Sequence, residues 1–206
     1  MLRVIIVVLC SILWCNSSAE QSYVEGQHYE RITPELATQR DGKIEVIEVF
    51  WYGCHHCFSF ESELSEWLKS KPDNVVFRRV PGIFARTWVP HARAYFTAEI
   101  LGVLDKIHSP LFEAIHEQHR KIGDEDSLAR FFAEHGVSDE AFREAYNSFS
   151  VDTKTRQAMT ASKDYGITGV PSMIVNGRFR SSARLTGTYE NLLKVVDHLV
   201  DIETTQ

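Results

Sequence analysis

Residues 44–57 read IEVIEVFWYGCHHC, and this stretch decides the fold. Its first part, Ile44–Phe50, is rich in β-branched and apolar side chains, which indicates a buried strand. From Cys57 to about Ser70 the apolar residues recur at the spacing of one helix face. The pair of cysteines therefore lies where a buried strand gives way to a helix. The preceding residues 20–43 read as an exposed lead-in with turn signals.

Two further stretches continue this pattern. The sequence Lys71-Pro72-Asp73-Asn74 ends the first helix, and Val75–Val80 reads as a second strand. A strand, a helix and a strand in this order predict a parallel β-α-β unit. Much later, Ser172–Val175 and Arg178–Arg180 flank Asn176-Gly177, a dipeptide typical of a tight β-hairpin.

Helical periodicity dominates the middle of the chain, from about Thr87 to Phe149. This segment predicts about four short helices, with Ser109-Pro110, Asp126 and Ser138 at helix starts. Another helix over about residues 189–202 closes the chain. The aromatic residues that we expect in the core of the helical segment are Phe131, Phe132, Phe142, Tyr146 and Phe149.

Composition limits the class of protein. The 206 residues are 44% hydrophobic and 24% charged, which fits one globular domain, with or without an insertion, and argues against a disordered or fibrous chain. The formal charge of −6 comes from 22 basic and 28 acidic residues without blocks of one sign. This acidic balance argues against nucleic acid as a main partner.

The N-terminus has the features of a secretory signal. The apolar stretch Val4–Trp14 is about half as long as the ~20 residues of a membrane span. Ser17-Ser18-Ala19 follows it with small residues suited to cleavage after Ala19. We interpret residues 1–19 as a removable signal peptide, with an uncleaved anchor as the alternative. Lipid attachment at Cys15 is a second alternative, which the bulky Trp14 before it disfavours.

The cysteine count indicates an active disulfide. Cleavage after residue 19 leaves Cys54 and Cys57 as the cysteines of the mature chain. Small exported domains that are stapled by disulfides carry several dispersed pairs, so this adjacent pair is better explained as a reactive group. A Cys-x-x-Cys pair is also half of many zinc sites, but structural zinc needs a second ligand pair, and none follows. We therefore predict no metal.

The position of the pair assigns a role to each cysteine. Cys54 is expected at the N-terminus of a helix, where unsatisfied N–H groups and the helix dipole favour a thiolate. Cys57 lies one turn further on and is expected to be less exposed, which suits a resolving thiol. Sequence alone thus predicts a redox-active pair.

The residues from Glu48 to Cys57, followed by Phe60-Glu61, resemble the active-site segment of the bacterial DsbA-type disulfide oxidoreductases. Gly169-Val170-Pro171 and the Val175–Arg178 hairpin follow in the family's order, so the resemblance covers almost all of the mature chain. It implies an α/β thioredoxin fold, with a central mixed sheet flanked by helices and an inserted helical domain. The implied divisions are a signal peptide over 1–19, a thioredoxin-like domain over 20–83 and 150–206, and a helical insertion over 84–149.

The same resemblance implies a function. The Cys54–Cys57 disulfide, with no other cofactor, oxidises reduced, newly exported proteins after a substrate thiolate attacks Cys54. A membrane quinone-linked oxidase of the DsbB type then reoxidises the enzyme, which is expected to be a monomer in the Gram-negative periplasm. The family's very low cysteine pKa and oxidising potential are implied as well. A reductase or isomerase, and a non-catalytic peptide-binding module, stay open as alternatives.

Two histidines lie between the cysteines. His56 matches the family histidine that turns back towards the Cys54 sulfur and stabilises its thiolate; an exposed histidine with little electrostatic effect is the alternative. His55 departs from the family, which most often has proline at that position. Because proline rigidifies the first helical turn, this change leaves the reduction potential open.

Pro171 matches the family's cis-proline, which faces the cysteine pair, although cis X-Pro bonds are a minority in proteins. Val170 before it then becomes a peptide-docking residue. Glu48 shares a strand face with apolar residues, and burial would raise its carboxyl pKa and make it a candidate proton relay for Cys57. Glu61 matches another acidic position of the family's active-site electrostatics. An exposed strand-end acid and an ordinary helix charge are the alternatives for these two carboxylates.

The remaining histidines show no ligand pattern in the sequence. We predict that His91, His108, His116 and His119 are core or surface residues instead of metal ligands.

Overall fold

A computed structural model describes residues 22–38 and 42–205. The predicted signal peptide, residues 1–19, lies outside these ranges, as does Cys15, the alternative lipidation residue. Among the helices in the described ranges, none combines the length and the apolar character needed to cross a membrane.

The centre of the fold is a five-stranded mixed sheet. Its strands are β1 (Glu30–Arg31), β2 (Ile44–Phe50), β3 (Val75–Pro81), β4 (Ser172–Val175) and β5 (Phe179–Ser181). They lie in the order β1-β5-β4-β2-β3. β2 pairs in parallel with β3 and antiparallel with β4, so it has a neighbour on both sides. The parallel β-α-β unit predicted from the sequence is confirmed.

The predicted hairpin is also confirmed. Asn176 and Gly177 both have positive φ, 52° and 63°. This is the backbone that a tight turn between antiparallel strands requires. The Arg178 N–H donates to the Val175 carbonyl at 3.0 Å, and strand pairing begins with Val175 opposite Phe179. The second strand therefore starts one residue later than the sequence indicated.

The expectation of an exposed lead-in is wrong in part. Glu30 and Arg31 pair antiparallel with β5 and form the edge of the sheet. Tyr29 and Ile32, on either side, are 8% and 2% exposed. Two polar residues carry no strand pattern, and packing of their apolar neighbours against the rest of the fold places them in the sheet.

The described residues form eight α-helices and one 3₁₀ turn. They are α1 (His55–Ser70), the 3₁₀ turn (Arg86–Trp88), α2 (Val89–Ile100), α3 (Leu104–His116), α4 (Glu125–Glu134), α5 (Asp139–Tyr146), α6 (Phe149–Asp164), α7 (Ala183–Thr186) and α8 (Tyr189–Thr204). α1 and α8 match the predicted helices that follow the cysteine pair and close the chain. On α1 the buried residues include Phe60, Leu64 and Trp67, the face that the periodicity predicted.

The starts of two helices in the middle segment differ from the prediction. Pro110 lies inside α3, which begins at Leu104, because burial of Ile107 and Leu111 holds the helix together across the missing proline N–H. α4 is capped by Asp124 and not by Asp126. The Asp124 carboxylate accepts the Ser127 N–H at 2.9 Å, and the Ser127 hydroxyl accepts the Asp124 N–H at 3.1 Å.

The other predicted cap is confirmed, since the Ser138 side chain accepts the Ala141 N–H at the start of α5.

Phe149 was expected in the core, but it is 84% exposed, because it occupies the first position of α6, directly after the cap Ser148. The aromatic residues that are buried as predicted are Phe131, Phe132, Phe142 and Tyr146.

Apolar residues of the central strand pack in two clusters. Ile47 and Val49 of β2 belong to a cluster that extends through the helices α2–α5. Val46 belongs to a second cluster, which contains the inner faces of α1 and α8. The strand β2, which carries the chain to Cys54, is therefore buried among side chains of both clusters.

Replacement of Phe142 by alanine tests the packing of the helical segment. Phe142 is fully buried, so Phe142→Ala should lower the free energy of unfolding by about 3–5 kcal/mol. Phe149→Ala is the matched control, because its ring is exposed and its loss should change stability by less than about 0.5 kcal/mol. Denaturant unfolding measures both values; equal effects of the two substitutions would contradict this description of the core.

Candidate active site

The turn from β2 into α1 brings Cys54 to the start of the helix. The Cys54 N–H donates to the Trp51 carbonyl at 2.9 Å and closes the turn. Cys54 is the N-cap residue, with extended backbone angles, and its sulfur accepts the Cys57 N–H at 3.3 Å. This is the hydrogen bond that a serine or aspartate oxygen makes at most helix starts. The predicted placement of Cys54 at the helix N-terminus is confirmed.

Both cysteines are free thiols in the structure. The pKa of Cys54 is lowered from its ordinary 9.0 to about 6. The largest cause is a hydrogen bond with the Cys57 side chain, which outweighs the opposing effect of burial. The backbone N–H groups of Cys57 and His56 and the charge of the His56 ring contribute further. Around pH 7 the Cys54 sulfur is therefore mainly a thiolate.

Cys57 has the opposite environment. Its side chain is fully buried, and burial raises its pKa well above the ordinary value. The hydrogen bond to the Cys54 sulfur and the nearby negative charges of Cys54 and Glu48 raise it further. Cys57 therefore keeps its proton while Cys54 loses one, so the two thiols of one motif are chemically distinct.

The loop before β4 faces the cysteine pair. The Val170–Pro171 peptide bond is cis, as the sequence predicted. The Cys54 sulfur lies 3.5 Å from the Val170 carbonyl oxygen, to which it donates a hydrogen bond only when it is protonated. Reduced Cys54 thus contacts the backbone of the residue that was expected to dock peptides.

A buried charge cluster lies beneath the pair. Glu48 and Arg79 are opposite each other in the parallel β2–β3 register, and Arg79 Nε donates to Glu48 Oε2 at 2.9 Å. Arg79 Nη2 also donates to Glu61 Oε2 at 3.0 Å. One guanidinium therefore binds two carboxylates, and no motif in the sequence indicated this role of Arg79. The predicted β-α-β unit places the second strand beside the first, but the strand register is needed to show that Arg79 faces Glu48.

The two carboxylates differ in protonation. Glu48 is fully buried, and burial raises its pKa to about 8 against the attraction of Arg79. Its second oxygen, Oε1, has no hydrogen-bond partner among the described residues. Burial alone would also raise the pKa of Glu61, but a hydrogen bond with His108 and the charge of Arg79 outweigh it and lower that pKa. Glu48 therefore holds its proton to a higher pH than Glu61 does.

His108 joins this cluster to the cysteine turn. Its Nδ1 is 2.9 Å from the Tyr52 hydroxyl, and its Nε2 is 3.4 Å from Glu61 Oε1. Burial lowers the pKa of His108, so the ring is neutral and can accept from the phenol while it donates to the carboxylate. His108 lies in the core, one of the two placements expected for it, but its polar partners were not foreseen.

The two histidines of the motif lie at the surface. His56 Nδ1 is 3.2 Å from the Tyr189 hydroxyl at the start of α8. Its charge lowers the Cys54 pKa, but less than the hydrogen bonds from Cys57 do. The ring of His55 points to the helical segment, with its centre 5.7 Å from that of His116. Within the described ranges, no group of three or more His, Cys, Asp or Glu side chains is placed to hold a metal ion.

A cavity of about 960 Å³ opens beside the cysteine pair. His56, Val170, Pro171 and Tyr189 line it on the side of the motif, and Arg184 of α7 lines it further away. Charged and polar side chains line it together with apolar ones.

Comparisons with known proteins agree with this site. Residues 80–194 match the family model described as a DSBA-like thioredoxin domain. The thiol:disulfide interchange protein DsbA of Azotobacter vinelandii is 39% identical over 86% of this chain and 83% of that protein. DsbA of Pseudomonas syringae is 37% identical over 95% of this chain and 92% of that protein.

Solved structures give the same result. The crystal structure of Pseudomonas aeruginosa DsbA has a TM-score of 0.84 at 37% identity, over 89% of this chain and 95% of that chain. DsbA from Xylella fastidiosa has a TM-score of 0.83 at 34% identity, over 89% of this chain and 99% of that chain. With its family match, its relatives and a cysteine pair at the start of a thioredoxin-type helix, this chain belongs to the DsbA family of thiol:disulfide oxidoreductases.

Proposed function

We propose that this protein donates the Cys54–Cys57 disulfide to reduced, newly exported proteins. The observation that carries the proposal is the difference between the two thiols: the Cys54 thiolate is stabilised at the start of α1, whereas buried Cys57 keeps its proton. Stabilisation of the thiolate lowers the free energy of the reduced enzyme relative to its disulfide form. A lower free energy of the reduced form makes the disulfide a stronger oxidant.

The reaction proceeds through a mixed disulfide. A substrate thiolate attacks the Cys54 sulfur, the Cys54–Cys57 bond breaks, and its electron pair leaves on Cys57, which takes up a proton. A second substrate thiolate then attacks the substrate sulfur of the mixed disulfide, and Cys54 leaves as a thiolate. The substrate loses two electrons and gains a disulfide, while the enzyme gains two electrons as a thiol and a thiolate.

Glu48 is the proposed proton donor to Cys57. Its carboxyl is neutral at pH 7 and buried, and its charge is among the causes that shift the Cys57 pKa, so the two groups lie within electrostatic reach of each other. Protonation of the leaving Cys57 thiolate prevents an unpaired charge in the interior. During reoxidation the ionised carboxylate accepts the same proton. Glu61 acts indirectly, since it shares Arg79 with Glu48 and thereby limits how strongly Arg79 ionises Glu48.

The surface around the motif supports the proposed partners. Val170 offers backbone groups next to Cys54, and the adjacent cavity has room for an extended, unfolded peptide. His56 lines this cavity as well. We also propose reoxidation by a membrane quinone-linked oxidase of the DsbB type, location in the periplasm after removal of residues 1–19, and a monomeric state.

The domain organisation stays part of the proposal. We propose that residues 84–149, which contain α2–α5, are inserted in a thioredoxin-like domain formed by residues 20–83 and 150–206. No cofactor besides the cysteine pair is required for the reaction written above.

Oxidation of a reduced protein tests the function. The oxidised enzyme should form disulfides in a reduced, unfolded exported protein, and Cys54→Ser should abolish this activity. Cys57→Ser cannot form the enzyme disulfide, but its Cys54 thiolate can attack a disulfide of an oxidised substrate protein; with no resolving thiol, this variant should accumulate mixed disulfides that gel electrophoresis detects. Full activity of Cys54→Ser would overturn the proposal. A reduction potential near that of thioredoxin, about −270 mV, would favour a reductase instead.

Titration of the reduced enzyme tests the thiolate. The ultraviolet absorbance of the Cys54 thiolate should disappear with a midpoint near pH 6. Because this pKa is lower in the folded than in the unfolded protein, its contribution to stability is fully present above about pH 9 and is lost as the pH falls through about 6. The melting temperature of the reduced form should therefore rise relative to that of the oxidised form between these values. A midpoint near 9 would contradict the proposed environment.

Glu48→Gln tests the proton donor. The amide keeps the shape of the side chain but holds no transferable proton, so formation of the mixed disulfide by the oxidised enzyme should slow by about tenfold. This lies below the usual contribution of a general acid because a thiolate is already a good leaving group. Glu66→Gln is the control, an exposed acid on α1 that does not line the cavity beside the motif. Stopped-flow reaction with reduced glutathione measures the rate, and an unchanged rate in Glu48→Gln would exclude the relay.

A further inference from the structure

His116, the last residue of α3, contacts the active-site segment at three points. Its Nε2 lies 2.7 Å from the Tyr52 carbonyl oxygen, two residues before Cys54. Its ring stacks on Phe58 of α1, with ring centres 5.1 Å apart and an interplanar angle of 12°. It also faces His55 at 5.7 Å. One side chain therefore bridges the turn before the motif and the first turn of the helix after it.

The contact belongs to a continuous stripe on α3. His108, Phe112 and His116 are spaced four residues apart and share one face of the helix. His108 bonds the Tyr52 hydroxyl, Phe112 packs on the Tyr52 ring with centres 4.9 Å apart, and His116 bonds the Tyr52 carbonyl. All three parts of Tyr52 are thus held by a helix that is distant in sequence.

The Tyr52 carbonyl bond restrains the backbone at a sensitive place. Tyr52 is the second residue of the turn that the Cys54 N–H closes on the Trp51 carbonyl. The orientation of this turn determines where the Cys54 sulfur lies relative to the N–H groups of α1. His55, at the first helical position, lacks the ring by which proline fixes φ, so the sequence of the motif supplies no such restraint itself.

The protonation of His116 fits a donor role. Burial and the neighbouring His55 lower the pKa of His116, which keeps the ring neutral near pH 7. A neutral imidazole carries one proton, and a carbonyl oxygen can only accept. The proton therefore lies on Nε2, and Nε2–H donates to the Tyr52 carbonyl.

We infer that His116 is a positioning residue for the redox reaction: its hydrogen bond to the Tyr52 carbonyl holds the turn in the geometry that stabilises the Cys54 thiolate and so makes the disulfide more oxidising. The inference rests on the proposed function in one respect, that Cys54 is the reactive thiol. It adds a residue 64 positions from Tyr52 to those that set the reduction potential.

Two substitutions separate the hydrogen bond from the packing. His116→Phe keeps an aromatic ring against Phe58 but removes the N–H, whereas His116→Gln keeps an N–H donor at about the same distance from the backbone. His116→Phe should raise the Cys54 pKa and shift the equilibrium with glutathione towards the oxidised enzyme by about threefold to tenfold, as expected for one lost hydrogen bond. His116→Gln should restore the wild-type values.

His135→Phe is the matched control. His135 is half-buried like His116, its Nδ1 lies 2.8 Å from the Phe131 carbonyl, and its ring packs on Phe131 at 4.4 Å. It lies on the helical segment but contacts no residue of the motif, so its loss should leave the potential unchanged.

The reduction potential of each variant, measured by its equilibrium with glutathione, tests the inference. Thermal unfolding of the oxidised and reduced forms shows whether the variant is folded. A purely structural role of His116 would destabilise the oxidised and reduced forms equally and leave the equilibrium with glutathione unmoved. An unchanged potential in His116→Phe, or equal shifts in His116→Phe and His116→Gln, would overturn the inference. A wild-type enzyme that does not oxidise proteins would contradict the proposed function alone, because the thiol titration does not depend on a protein substrate.

A measurement on the unmodified protein covers the case in which His116→Phe does not fold. Long-range proton–nitrogen NMR spectra of the reduced enzyme at pH 7 distinguish the two neutral forms of a histidine ring. We expect the Nε2–H form for His116. The Nδ1–H form would overturn the inference, because its Nε2 could not donate to the carbonyl.

Discussion

The hydrogen bonds that converge on the Cys54 sulfur govern the chemistry of this fold. The Cys57 N–H, the Cys57 thiol and the His56 N–H all approach one atom, and together they outweigh the cost of partial burial. Such convergence requires a helix that starts at Cys54 and a turn of fixed direction before it. Burial of β2 between two neighbouring strands supplies that direction, since the strand end cannot shift without disrupting both pairings.

The buried charge cluster complements this arrangement. A carboxylate beneath the pair would ordinarily be ionised by a facing arginine, and its charge would then oppose the Cys54 thiolate. Here Arg79 is divided between Glu48 and Glu61, and Glu61 has a second donor in His108. The better-satisfied Glu61 ionises, while Glu48 keeps its proton. In the proposed mechanism this proton is the one that Glu48 gives to Cys57.

Local patterns predicted those parts of the fold that local chemistry determines. Periodicity and turn residues predicted the strand over residues 44–50, the helix after it and the Asn176-Gly177 hairpin. The position of Cys54 at the N-terminus of that helix followed, because Cys54 lies between the strand and the helix. Features set by tertiary contacts were missed or misplaced. Pro110 lies inside a helix because its neighbours are buried, and Phe149 is exposed because it is the first residue of a helix. The contact of Arg79 with Glu48 depends on the strand register, which the sequence pattern does not give.

The helical segment is where the site in the structure differs most from the site predicted from the sequence. Considered as sequence, its histidines were core or surface residues without function. In the structure α3 holds Tyr52 by its hydroxyl, its ring and its carbonyl, and it supplies the donor that ionises Glu61. A four-residue motif therefore does not determine its own potential. The two residues between the cysteines act on a sulfur whose surroundings are fixed by side chains more than fifty positions away, so equal motifs can differ in potential when their supporting helices differ.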